Sequence, residues 1–249
     1  PREAAEALVA WTGDAPVGLA TVAVYEGADG APALAWVGGP AVLPAWRGRG
    51  AGRALLDAAL ARAAGAPVVG LDATPEVERL CAKAGFRAAS RATRWRRAAG
   101  APRPAPGGRH SVHPISLSEA MEIAEYDLPR FGAKRLRALL AVLHGFPWTA
   151  FMARDRRTGD VTGFGLGHER AIGPLVADDD GAAAALLAAC EMAGAPPTLL
   201  APDDHAGARR VLEAAGWTPE GPATTRMLRS GGLPGRPEAV YGLAAWGLG

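Results

Sequence analysis

The segment Ala41-Val42-Leu43-Pro44-Ala45-Trp46-Arg47-Gly48-Arg49-Gly50-Ala51-Gly52-Arg53-Ala54-Leu55-Leu56 constrains this chain more than any other stretch. It reads as the end of an apolar strand, a break at Pro44, a loop alternating arginine with glycine, and then an Ala/Leu-rich helix. Glycine lets the backbone turn tightly and approach a ligand with no Cβ in the way. The N–H groups of a helix's first turn have no intrahelical partner and lie at the positive end of the macrodipole. A loop of this kind holds a phosphate or pyrophosphate with main-chain donors alone. Arg47, Arg49 and Arg53 add positive charge at the same place. The reading is an anion cradle for a nucleotide-like cofactor.

Two familiar cradles fail on spacing. A Rossmann fingerprint needs a third glycine where this chain has Arg53, and a Walker A loop needs Gly-Lys followed by Ser or Thr. The pattern that fits is Gln/Arg-x-x-Gly-x-Gly/Ala, filled by Arg47, Gly50 and Gly52 after a strand ending in Val42. A second segment follows at the matching distance: an apolar strand at 67–73, a helix at 74–84, and Leu80-Cys81-Ala82-Lys83-Ala84-Gly85-Phe86, with Gly85 as a C-cap signal. Together the two segments resemble the GNAT acyltransferases, whose second motif runs Leu-Tyr-x-x-x-Gly-Phe. The tyrosine position is Cys81 here.

Composition frames these motifs. The chain has 249 residues, enough for two ordinary domains, with 49% hydrophobic and 21% charged residues, as in a soluble globular protein. A net charge of +2 gives no general field toward nucleic acid or membrane. Arg, Ala, Gly and Pro abound, Asn is absent, and Lys occurs only at 83 and 134, a balance expected of a GC-rich, bacterial coding sequence. Cys81 and Cys190 have no metal-ligand spacing and read as free thiols of a reducing cytoplasm. No apolar run reaches membrane-spanning length, and no signal peptide precedes the first strand pattern. The expectation is a cytoplasmic protein with no metal, no membrane and no nucleic-acid partner, a homodimer being allowed.

The chain divides at a Pro/Gly-rich stretch, residues 98–109, read as a linker. Before it, strand and helix patterns run β-β-β-α-β-α-β. After it the same order repeats behind two extra helices, at 117–125 and 134–143, the first with Ser116 and Glu119 as a capping box. The expected fold is therefore α/β, a mixed, mostly antiparallel sheet with flanking helices, in two tandem GNAT-like domains. The first spans residues 1–97 and lacks the family's usual first strand and two helices. The second spans 110–249 and resembles a divergent acetyltransferase-like group through Ile172-Gly173-Pro174-Leu175, Ala177-Asp178, Arg226-Met227 and Ala239-Val240-Tyr241-Gly242-Leu243. Its counterpart of the cofactor loop, Ala177-Asp178-Asp179-Asp180-Gly181, carries three carboxylates, which repel a pyrophosphate. That half is expected to be degenerate.

The resemblance implies an acetyl-CoA-dependent N-acetyltransferase acting on a small-molecule or peptide amine. It assigns carbonyl polarisation and pantetheine pairing to main-chain groups of Ala41 and Val42, and the pyrophosphate to the amides of Gly48, Arg49, Gly50, Ala51, Gly52 and Arg53, with Arg47 of the signature also at the cofactor. It puts Cys81 where the family's acid stands. A CoA thiolate leaves with little help, because a thiol ionises near neutral pH (reference value about 8.5). Glu26, Asp72 and His168-Glu169 are candidate bases. His110, His113, His144 and His205 show no ligand spacing. The tract Arg87, Arg91, Arg94, Trp95, Arg96 and Arg97 reads as a solvated strand face, since a nucleic-acid groove needs more stacking aromatics than Trp95. The alternative reading is a non-catalytic acyl-CoA-binding or interaction protein that keeps the fold.

Overall fold

The computed structural model describes residues 5–98, 100 and 108–244, and it groups the chain into two compact units that do not follow chain order. The first holds Pro1–Ala89 and Thr224–Leu233, the second Ser90–Ala223 and Pro234–Ala245. Most of the linker at 98–109 lies outside the described residues.

In the first unit, β1 (Glu6–Thr12), β2 (Ala15–Glu26) and β3 (Pro32–Val42) form an antiparallel meander. The β1–β2 turn is two residues long, with Gly13 at φ 54°, the positive φ that tight hairpins need. Helix α1 (Ala51–Arg62) then crosses back to β4 (Val68–Ala73), parallel to β3. Helix α2 (Pro75–Lys83) starts with Pro75, whose missing N–H costs nothing in a first turn. It ends in a Schellman motif, Phe86 N–H bonding Cys81 O and Gly85 N–H bonding Ala82 O. Leu56 and Ala59 of α1 and Cys81 of α2 pack on Ala35, Val37, Val69, Leu71 and Ala73 of one sheet face.

The sequence reading closes the first half with a strand at 88–96. Strand β5 (Arg87–Arg97) exists, but from Ala92 to Arg96 it pairs with β10 (Thr198–Pro202) of the second unit. The place beside β4 belongs instead to the end of β11 (Trp217–Leu228), which runs antiparallel from Ala73↔Thr225 to Gly70↔Leu228. Chain proximity did not decide this pairing; burial did. Met227 joins the apolar core under α1 and α2, and Arg226 meets a buried carboxylate on the other face.

In the second unit, β6 (His110–Pro114), β7 (Ala150–Asp155), β8 (Val161–Gly167) and β9 (Ile172–Ala177) are successive antiparallel neighbours. Helices α3 (Ala120–Phe131) and α4 (Leu136–Gly145) cover one face, with Ile123, Leu139 and Leu143 on Met152, Phe164 and Leu166. Helices α5 (Asp180–Met192) and α6 (Ala206–Ala214) cover the other. The Gly-Phe-Gly-Leu-Gly alternation of β8 explains the asymmetry. Its large residues face α3 and α4, while a Cβ at Gly163 would sit 2.8 Å from Leu186 of α5. The helix can lie close only on a glycine stripe. A short strand, β12 (Val240–Gly242), pairs with β9.

Three strand segments are absent from the sequence reading: β6, β12 and the first half of β11. The last carries Pro219 and Pro222, which demote a strand pattern. The capping box is present ahead of α3. Glu119 accepts hydrogen bonds from the Ser116 N–H at 2.8 Å and its hydroxyl at 2.7 Å. Those bonds, the backbone one foremost and His113 least, hold the Glu119 carboxyl at about 2 against an ordinary 4.5. A depressed carboxyl stabilises the fold fully above its unfolded value, and the benefit is lost as pH falls from about 4.5 toward 2. Glu119→Gln is thus expected to lower the melting temperature at pH 6 and to converge with the unsubstituted chain near pH 2. A gap that persists undiminished at pH 2 would count against the cap as its cause.

Candidate active site

The parallel pairing of β3 and β4 is short. It runs from Leu34↔Val68 to Val37↔Leu71 and stops, although β3 continues to Val42 and β4 to Ala73. The cause lies on the other flank of β3. Thr21 of β2 is opposite Gly38 while Leu19 is opposite Ala41, so β3 carries an extra residue against β2. This bulge falls at Gly39, φ 93°, and Pro40, and bulges bend the strand that carries them. Past it, β3 leaves β4 and an opening lies between them.

The main chain of β3 alternates along this opening. Leu43 N–H bonds Val17 O on β2, so Ala41 also faces β2 and the polar groups of Val42 face away from it. The Val42 carbonyl accepts from Arg47 Nε at 3.1 Å. Of the two expected main-chain positions, only Val42 is turned toward the opening.

The loop supplies the donors. Gly48 (φ 74°) and Gly50 (φ 90°) are both left-handed, and a Cβ at either would meet nothing within 4 Å. Gly50 is the N-cap of α1 and makes no side-chain cap, which leaves the first-turn N–H groups, among them those of Ala51, Gly52 and Arg53, open to an external acceptor. Arg49 lies over the Trp46 ring at 4.9 Å, and Arg53 pairs with Asp57 at 2.8 Å. Both stay at the cradle. The arrangement suits an anion at the helix start and an extended, amide-bearing arm along Val42.

Cys81, at the expected acid position, lies on α2. It is 0% exposed in the apolar core, and burial, the first cause, with Glu78 as a lesser one, pushes its thiol up to about 11. A sealed thiol that is harder to ionise than a free one is a poor acid for a departing thiolate.

The candidate bases separate by position. Glu26 is opposite Pro32 at the start of β3, about 30 Å along the strand from Val42. It cannot serve an opening at the other end. Asp72 stands one residue past the last β3–β4 pair, on the face opposite α1 and α2. Its carboxylate takes Arg226 Nε at 3.0 Å and Nη2 at 3.2 Å, with both side chains about nine-tenths buried. The Arg226 guanidinium also lies 4.3 Å from the Trp36 ring centroid, and Trp36 in turn covers Gly70. This Trp36–Asp72–Arg226 cluster is the feature that sequence reasoning missed. Its two charges lie 154 residues apart, and only the pairing of β11 with β4 unites them.

His168 and Glu169 lie at the end of β8 in the second unit, where burial lowers the His168 pKa. The other histidines have structural partners. His110 bonds Thr162 at 3.0 Å and Asp179, His113 bonds Glu119, His144 bonds the Leu140 carbonyl, and His205 bonds the Glu238 carbonyl. In the arginine tract, Trp95 is core, Arg96 pairs with Glu220 at 2.8 Å and Arg97 with Glu191 at 2.8 Å. Trp95 is therefore not offered for stacking. Among the described residues no helix is long and apolar enough to cross a membrane, and no cluster of three or more His, Cys, Asp or Glu could hold a metal.

Two family models match the chain, each described as an acetyltransferase (GNAT) domain, at residues 3–88 and 123–242. Solved structures share the fold. A candidate acetyltransferase from Pyrococcus horikoshii aligns over 98% of this chain and 80% of its own, at 23% identity and a TM-score of 0.82. A GCN5-related N-acetyltransferase from Sphaerobacter thermophilus aligns over 92% and 82%, at 20% identity and 0.59. A tandem GNAT protein from the clavulanic acid biosynthesis pathway aligns over 92% and 83%, at 20% identity and 0.57. No curated protein sequence matches the chain.

Proposed function

Because this chain belongs to the GNAT acetyltransferases and carries two such domains in tandem, we propose that the first unit is an acetyl-CoA-dependent N-acetyltransferase acting on a primary amine, and that the second unit is its non-binding partner. The observation that carries this reading is the opening between β3 and β4 with the Gly50-capped helix at its mouth. The Arg47–Arg53 loop receives the pyrophosphate on its amides, with Arg47, Arg49 and Arg53 as a diffuse positive surround. Val42 pairs with the thiol arm once Arg47 releases its carbonyl. In the transfer, the amine nitrogen forms a bond to the thioester carbon, the carbon–sulfur bond breaks, and the pair leaves on sulfur. The amine arrives neutral, and the proton it sheds as the amide forms passes to water; Asp72 is held by Arg226 and is not free to take it.

In this reading Cys81 packs and does not donate. Cys81→Ala is expected to keep turnover within about threefold while lowering stability by about 1–2 kcal/mol, the cost of removing one buried atom group. A loss of two orders of magnitude in kcat with stability intact would restore Cys81 as the acid. The burial of Cys81 also favours a second reading, CoA binding without turnover. An amine panel with acetyl-CoA, read by thiol release, separates the two: release with any amine class establishes the enzyme, and calorimetric CoA binding without release establishes the binder.

A further inference from the structure

The second unit has its own divergence of parallel strands, and something fills it. β9 and β10 are in register only at Ile172 and Leu199. Beyond that pair, β12 enters as a strand. On one side it runs antiparallel to β9, Val240 opposite Val176 and Gly242 opposite Leu175. On the other, Leu243 N–H donates to the Leu200 carbonyl of β10 at 2.8 Å. A backbone hydrogen-bonded to both flanks is the signature of strand addition.

The seat fits its occupant closely. A Cβ on Gly173 would fall 2.1 Å from Leu243 O, and one on Gly242 would fall 2.8 Å from Leu199 and 3.1 Å from Leu175. The Tyr241 hydroxyl donates to Asp180 at 2.7 Å, and its ring lies 4.4 Å from the His205 ring. His205 Nδ1 accepts from Ala208 N–H, so its Nε2 carries the proton and donates to the Glu238 carbonyl at 2.8 Å. The residues just before β12 are thereby anchored as well.

The mouth of this gap is also committed. At the start of α5, Asp179 accepts from Ala182 N–H at 2.9 Å, which serves the helix N-terminus from within the chain. Asp178 takes the Tyr126 hydroxyl at 2.9 Å and Arg130 at 2.6 Å, and Asp180 takes Arg210 at 2.9 Å besides Tyr241. Where the first unit leaves donors open, the second meets them with its own carboxylates.

The geometry points to the gap between β9 and β10 being a strand-binding slot whose ligand is an extended peptide with a Tyr-Gly step, filled here by the chain's own Ala239–Leu243 and thereby closed to a CoA arm. It stands whether or not the first unit turns over.

Hydrogen exchange on the full chain tests it. The amides of 240–243 are expected to exchange as slowly as those of β9. Gly242→Val, which overpacks the contact with Leu199, is expected to speed them by about ten- to hundredfold. A synthetic peptide of sequence Glu-Ala-Val-Tyr-Gly-Leu-Ala, residues 238–244, should then bind this variant and restore slow exchange on β9 and β10. Its Phe-for-Tyr analogue should bind about tenfold more weakly, for the lost hydroxyl bond to a carboxylate. Fast exchange at 240–243 in the unsubstituted chain, failure of the peptide to bind the variant, or a second CoA site by calorimetry overturns the proposal. If Gly242→Val does not fold, Tyr241→Phe carries the test. It keeps the strand and the ring, and a rise in exchange confined to 240–243 is expected; unchanged exchange there overturns the slot.

Discussion

Replacing Gly50 by Val is expected to abolish CoA binding while leaving the chain folded. At φ 90° the N-cap position favours glycine, and a β-branched residue there costs about 1–3 kcal/mol of backbone strain. The chain can relieve that strain by flipping the loop, since nothing packs within 4 Å of the position. Relief turns the Gly48 and Gly50 amides away from the anion, so the loss falls on binding and not on the core. Arg47→Ala should behave differently, changing affinity by less than about tenfold, because exposed charges contribute modestly and its removal frees the Val42 carbonyl. Calorimetric titration of CoA reads both. Undiminished binding in Gly50→Val would place the cofactor elsewhere and overturn the assignment of the first unit.

The second large effect concerns stability. Asp72→Ala leaves the Arg226 guanidinium buried beside the Trp36 ring without its carboxylate. Stranding one partner of a buried pair costs about 3–5 kcal/mol, which for a chain of this size lowers the melting temperature by roughly 6–20 °C. Replacing both partners, Asp72→Leu with Arg226→Met, should recover most of the loss, because the desolvation of two charges disappears with them. Thermal unfolding of the single and double variants decides it. A single variant within about 1 kcal/mol of the unsubstituted chain would mean that solvent reaches the pair and that Thr224–Leu228 is not seated on β4.

Local chemistry made much of this legible in the sequence. The glycine and proline punctuation around α1 and α2 is written within a few residues, so the loop, both helices and their strands could be read from it. Long-range choices were not written in this way. Nothing near Arg226 says that it will find Asp72, and nothing near Ala92 says that its strand will pair with Pro202. The depth of Cys81 was not legible either, because a motif position specifies where a residue falls on a helix and not how deeply that helix is packed. Val240–Gly242 escaped notice because three residues carry no periodicity; their strand character comes from the flanks that receive them.

The membership of Thr224–Leu233 in the first unit has a consequence for biosynthesis. Leu228 lies 139 residues beyond Ala89, where the contiguous part of that unit ends. At ordinary elongation rates the ribosome takes about 7–30 s to cover that distance. Throughout that interval the β4 edge is exposed, with Asp72 unpaired and its main-chain donors and acceptors open to any passing strand. The nascent first unit is therefore expected to recruit chaperones until the C-terminal residues emerge, and chains stalled before Thr224 should aggregate where complete ones do not.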